Sequence, residues 1–68
     1  MGNIIKANIS YWMTFLGMSH KEVAAAMDMS NATLYNRMRL PSSFTIAELE
    51  RFAGKIGIEM SDLVVKKA

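Results

Sequence analysis

The sequence has no cysteine, one proline, one histidine and no long apolar run, and each shortage removes a class of protein. Without cysteine there is no disulfide and no Cys/His cluster to hold zinc, so 68 residues must be stabilised by packing or by a partner chain. The same absence fits a reducing compartment. No stretch approaches the roughly 18 apolar residues that span a bilayer. Residues 1–6 lack the basic-then-apolar layout of a signal peptide, so a soluble cytoplasmic chain, away from membranes, is expected. Charge of one sign is scarce too. Eight Lys and Arg stand against six Asp and Glu, and a net charge of +2 does not by itself announce nucleic acid. No Gly-rich phosphate loop is present, and no pair of carboxylates is placed opposite a nucleophile. An enzyme is therefore not expected, nor a cofactor, a metal or a small-molecule substrate.

What the chain has is apolar residues at helical spacing, 51% of the whole, including seven methionines. Ile5, Ile9, Trp12 and Leu16 make one stripe of a helix over residues 3–16, which Gly17 ends. Ser19 and Glu22 form a capping box, and Met18 can staple onto Val23, so a second helix starts there with Val23, Ala24 and Met27 inward. After the break at residues 28–30 the grammar repeats. Met29 precedes the cap Ser30, and Leu34 stands where a staple partner belongs; Leu34 and Met38, helped by Ala32, face inward. Pro41 stops this third helix, since it lacks a donor and disfavours helical geometry at Leu40. Thr45 and Glu48 box the fourth helix, with a stripe of Ile46, Leu49, Ala53 and Ile56, widened by Phe52 and ended by Gly57. A last helix over residues 60–66 turns Met60, Leu63 and Val64 inward, with Lys66 and Lys67 at its negative end.

No segment alternates with period two long enough to make a strand. The reading is an all-α chain, a compact bundle of about five short helices in one domain, residues 1–68. The short link between the second and third helices predicts a helix-turn-helix over about residues 19–39.

With HKEVAAAMDMSNATLYNRM in view, the chain resembles the lambda repressor and Cro-like helix-turn-helix family of phage and bacterial DNA-binding regulators. GMS-HKEVA looks like the family's Gly-apolar-Ser opening with Ala24 at the small-residue position, MSNATLYNRM like its recognition helix, and PSSFTIAELERFAGKIGI like its Pro-containing loop and fourth helix. The likeness spans nearly the whole chain. Two positions depart from it: Asp28 stands where the family often has a left-handed Gly, and Arg37 where many members are apolar. Asp tolerates the left-handed turn better than most residues. Met38 is expected to supply the packing, with Arg37 leaning outward.

The resemblance implies that the helix 30–39 enters the major groove of double-stranded DNA and presents Asn31, Ala32, Thr33, Tyr35 and Asn36 to base edges. Asn can bond an adenine edge, and Ala32 or the Thr33 methyl can meet a thymine methyl. His20, Lys21, Ser30, Arg37 and Arg39 are the candidates for phosphate, and Lys21, Arg37 and Arg39 share the middle third with only Glu22 and Asp28 to oppose them. Outside this turn, Asn31, Thr33 and Asn36 would be ordinary surface residues, and His20 a solvated first-turn histidine. Yet Ser, Asn and Thr do not favour a helix, and a short exposed helix made of them lacks a folding rationale.

The resemblance also implies a homodimer repressor at an operator. Tyr11, Met13 and Phe15 lie off the first helix's stripe, and these with Ile58 and Val65 are the candidate contacts, between which the sequence does not choose. The competing reading keeps the fold and drops the DNA: a protein-interaction module, such as an antirepressor or phage accessory protein. The modest charge favours it.

Overall fold

A computed structural model describes residues 2–65. Five α-helices follow one another: α1 (Gly2–Leu16), α2 (His20–Ala26), α3 (Asn31–Arg39), α4 (Ile46–Ile56) and α5 (Ser61–Val64), with a 3-10 turn at Pro41–Ser43. No strand occurs among the described residues, and no helix of theirs is long and apolar enough to cross a membrane. α1 packs against α5 and the 3-10 turn, α2 against α3 and α4. Lys66 and Lys67 lie outside the described residues.

One stop signal is used three times. α1, α2 and α4 each end at a left-handed residue, Gly17 (φ 66°), Asp28 (φ 58°) and Gly57 (φ 75°). In each case the next N–H reaches back to close the helix: Met18 to the Met13 carbonyl (2.9 Å), Met29 to Ala24 (3.0 Å) and Ile58 to Ala53 (3.0 Å). The residue after the stop is apolar and half-buried against the core. Met18 and Met29 then serve a second time, as the residues before the caps Ser19 and Ser30 whose staple partners Val23 and Leu34 are buried. Ser19 and Thr45 each make the reciprocal box with Glu22 and Glu48 that the sequence predicts.

The core is Ile5, Ile9, Val23, Ala24, Met27, Leu34, Phe44, Leu49, Phe52, Ala53 and Leu63. Three expected inward residues differ. Leu16 is 44% exposed, because the chain turns away at Gly17 and Met13 and Met18 cover that end of the core instead. Ile46 is 63% exposed: the inner side of the first turn of α4 belongs to Phe44, Glu48 and Leu49, and Phe44 before the cap stands as a third staple with Leu49. Ala32 is exposed and adds nothing inward.

α5 is shorter than the expected 60–66. Asn8, 2% exposed in the middle of the α1 stripe, donates its Nδ2 hydrogens to the carbonyls of Leu63 (2.9 Å) and Val65 (2.8 Å). Val65 itself leaves helical geometry at φ −103°, ψ 137°, although its N–H still reaches the Ser61 carbonyl (3.0 Å). A buried amide with both donors satisfied thus ties the end of the described chain to α1.

Candidate functional site

α2 and α3 meet at their N-terminal ends, where the polar residues of the chain gather. The Ser19 hydroxyl accepts from Glu22 N–H (3.1 Å) while Ser19 N–H donates to Glu22 Oε1 (2.8 Å). The Ser19 backbone N–H first, and its hydroxyl second, hold the Glu22 carboxyl below the usual carboxylate range. Asp28 turns the chain, its N–H donating to the Ala25 carbonyl (3.1 Å), and the left-handed expectation for this residue holds. At Ser30 the cap is different in kind: the hydroxyl accepts from Thr33 N–H (3.1 Å) and donates to Thr33 Oγ1 (2.9 Å).

That second bond settles where Thr33 sits. It is half-buried and drawn back to its cap, apart from the outward residues Asn31, Ala32, Tyr35 and Asn36, all of which are exposed. Leu34, 1% exposed, and half-buried Met38 hold the helix from beneath.

His20 joins the two helices. Its Nδ1 lies 2.6 Å from Asn31 Oδ1, a bond that places the proton on Nδ1, and its ring stacks on Tyr35 at 3.7 Å and 20°. Nε2 is shielded from solvent and has no hydrogen-bond partner among the described residues. The imidazole therefore fixes the first outward amide of α3 and its one outward ring together. Lys21 and Arg39 are exposed on either side of this arrangement in sequence.

Arg37 does not lean outward as expected. Its Nε lies 3.1 and 3.3 Å from the two carboxylate oxygens of Glu48 and its Nη2 lies 3.1 Å from Oε2, a forked pair that ties the end of α3 to the start of α4. Glu48 also accepts from Thr45 N–H (2.9 Å). The guanidinium, against the carboxylate's own burial and with help from that N–H, holds Glu48 below its usual range, and the bond raises Arg37. The planar fork lets Arg37 lie partly buried, since its charge is met within the fold.

Of the candidate contacts for a second copy, Met13 and Ile58 are half-buried against the core, whereas Tyr11, Phe15 and Val65 are exposed.

The sequence reading missed three links: His20 to Asn31 and Tyr35, Arg37 to Glu48, and Asn8 to the end of α5. Asn8 had a signal, a polar residue three after Ile5 and four before Trp12 on the buried stripe. The other two join residues 11 to 15 positions apart across a turn, where no helical spacing rule applies.

No protein-family model matches the chain, and neither a curated protein nor a solved structure is significantly similar to it.

Proposed function

We propose that this chain is a sequence-specific, double-stranded DNA-binding regulator, similar to the Cro-like repressors, that lays α3 in the major groove. The observation that carries the reading is the braced polar surface of α3. Asn31 and Tyr35 are held by His20 at its start, Arg37 is held by Glu48 at its end, and Asn31, Ala32, Tyr35 and Asn36 remain exposed between. A base-reading side chain must be fixed before it can discriminate, because an ill-held amide finds some partner on any base. Lys21 and Arg39 would meet phosphates, whereas the His20 ring is taken up by Asn31 and Tyr35.

Selection of an operator from random duplex DNA tests this. Wild type should enrich one sequence, and a variant with Asn31→Ala and Asn36→Ala should fail to enrich it. Enrichment of nothing by wild type, or of the same sequence equally by the variant, removes the base-reading role.

One observation favours a second reading, a protein-interaction module. With Arg37 spent on Glu48, Arg39 is the exposed cation of α3. A salt titration separates the two, since each phosphate contact steepens the fall of log affinity with log salt by about 0.9. Apolar association lacks that slope.

A further inference from the structure

His20 is the sole histidine of the chain, and two residues of the α3 surface depend on it. Nδ1 lies 2.6 Å from Asn31 Oδ1, and the ring lies on Tyr35 at 3.7 Å and 20°. A carbonyl oxygen only accepts, so Nδ1 carries the hydrogen and, in the neutral ring, Nε2 is a bare acceptor. Nε2 is shut away from solvent, and no group among the described residues bonds it. The surroundings therefore fit only one protonation form of the side chain. The other tautomer would meet Asn31 Oδ1 with a lone pair. An imidazolium would keep the bond to Asn31 but hold a second hydrogen, on Nε2, without an acceptor.

Among the described residues, no charged group supplies that acceptor. On α2, Lys21 is exposed and the Glu22 carboxylate is turned back onto Ser19. On α3, Tyr35 covers a face of the ring, Arg39 is exposed one turn further on, and Arg37 is held by Glu48. Glu50, Arg51 and Lys55 of α4 gather around Ala25, Ala26 and Asp28, at the opposite end of α2. α1 is uncharged from Ala7 to Leu16. The Tyr35 face attracts a cation, yet a cation–π contact on an exposed ring is worth less than a buried, charged donor costs without its acceptor.

We infer that His20 is a positioning residue for base reading and serves in its neutral form alone. Protonation drives the ring out to hydrate Nε2–H, and Asn31 and Tyr35 lose their common brace while Leu34 and Met38 still hold α3 from beneath. The inference rests on the DNA reading of α3. The braced form excludes a proton that the open form takes up, so discrimination is complete at alkaline pH and is lost as pH falls. Histidine is the side chain that changes charge between about pH 8 and pH 5. Glu22 and Glu48 are held below the carboxylate range, so the fold is intact while the reading surface loosens.

Fluorescence anisotropy at fixed salt, from about pH 8 to about pH 5.5, tests the inference with the selected operator and a scrambled duplex of equal length. The ratio of the two affinities should fall by roughly three- to tenfold for wild type, about tenfold per pH unit being the limit for one proton. His20→Gln offers Asn31 an amide N–H that does not titrate, and its ratio should stay level. His20→Phe keeps a ring against Tyr35 without an N–H, and its ratio should be low throughout. In the free protein, the ring-nitrogen shifts of the sole histidine should place the hydrogen on Nδ1 at alkaline pH, and the Asn31 side-chain amide should shift as the ring titrates. A level wild-type ratio, an equal fall in His20→Gln, a His20→Phe ratio that matches wild type at alkaline pH, or a hydrogen on Nε2 overturns the inference and leaves the DNA reading standing. A wild type that selects no operator overturns both.

Discussion

α1 and α3 both leave an aromatic side chain in water, yet the two rings sit in opposite chemical company. On α1, Tyr11 and Phe15 are braced by another ring, Trp12, among Ser10 and Thr14, with no charged residue from Ala7 to Leu16. On α3, Tyr35 is braced by an imidazole whose other contact is an amide, and exposed Asn31, Asn36 and Arg39 share its helix. Exposure is the same observation in both places. The neighbours decide what can cover it: a dry apolar surface over α1, a polar ligand over α3.

The largest expected effect breaks one side of this contrast and spares the other. Each well-made amide contact to a base is worth about 1–3 kcal/mol, so losing Asn31 and Asn36 together should weaken a selected operator by about 30-fold or more. Fluorescence anisotropy against that operator reads the change. The urea midpoint should not move, and a variant that lost stability as well would show that these two amides also hold the fold.

The next effect strikes the link between α1 and the end of the described chain. Asn8→Leu keeps the burial but strands the carbonyls of Leu63 and Val65, which should cost about 1–3 kcal/mol. Urea denaturation measures it. An unchanged urea midpoint would mean that the amide contributes nothing net to α1–α5 packing.

Much of this architecture is legible in the sequence because it is written locally. The capping boxes at Ser19 and Thr45, the staples at Met18 and Met29 and the stops at Gly17, Asp28 and Gly57 all operate within five or six residues. Periodicity failed where a cap or stop displaced the stripe by one position, as at Leu16 and Ile46. At the candidate site, the outward position of Asn31, Ala32, Tyr35 and Asn36 follows from spacing. What braces them does not, because His20 and Glu48 reach α3 from other helices. Glu48 was the harder case: its capping role accounts for one oxygen and gives no hint that the carboxylate also receives a guanidinium.

A smaller effect, and a favourable one, is expected at the turn between α2 and α3. Asp28 holds φ 58° at a position that glycine adopts without steric cost. Asp28→Gly should raise stability by up to about 1 kcal/mol. The gain, read as a shift in urea midpoint, sharpens the contrast between the two helices: it relieves strain at the seat of α3 and leaves the rings of α1 alone. A loss instead would mean that the Asp28 side chain contributes more than its backbone strain costs.

The smallest effect concerns acid, and it too divides the two surfaces. Glu48 titrates below its usual range chiefly because Arg37 bonds it, so the unfolded chain binds its proton more readily than the folded one does. The stability this gives is complete above the ordinary carboxylate range and is lost as pH falls through the depressed folded value. Glu22 shares the direction through its cap on Ser19. Wild type should therefore lose stability as pH falls below the ordinary carboxylate range. Glu48→Gln should flatten part of that slope, leave the part due to Glu22, and cost on the order of 1 kcal/mol or less at neutral pH, because solvent still reaches the Arg37 side of this partly buried pair. Thermal denaturation across this pH range reads both; an unaltered slope in Glu48→Gln would assign the acid sensitivity elsewhere. Arg37 and Glu48 brace the end of α3, whereas the Tyr11 and Phe15 stripe contains no titrating carboxylate. Acidification should accordingly loosen the end of α3 before it disturbs the rings of α1.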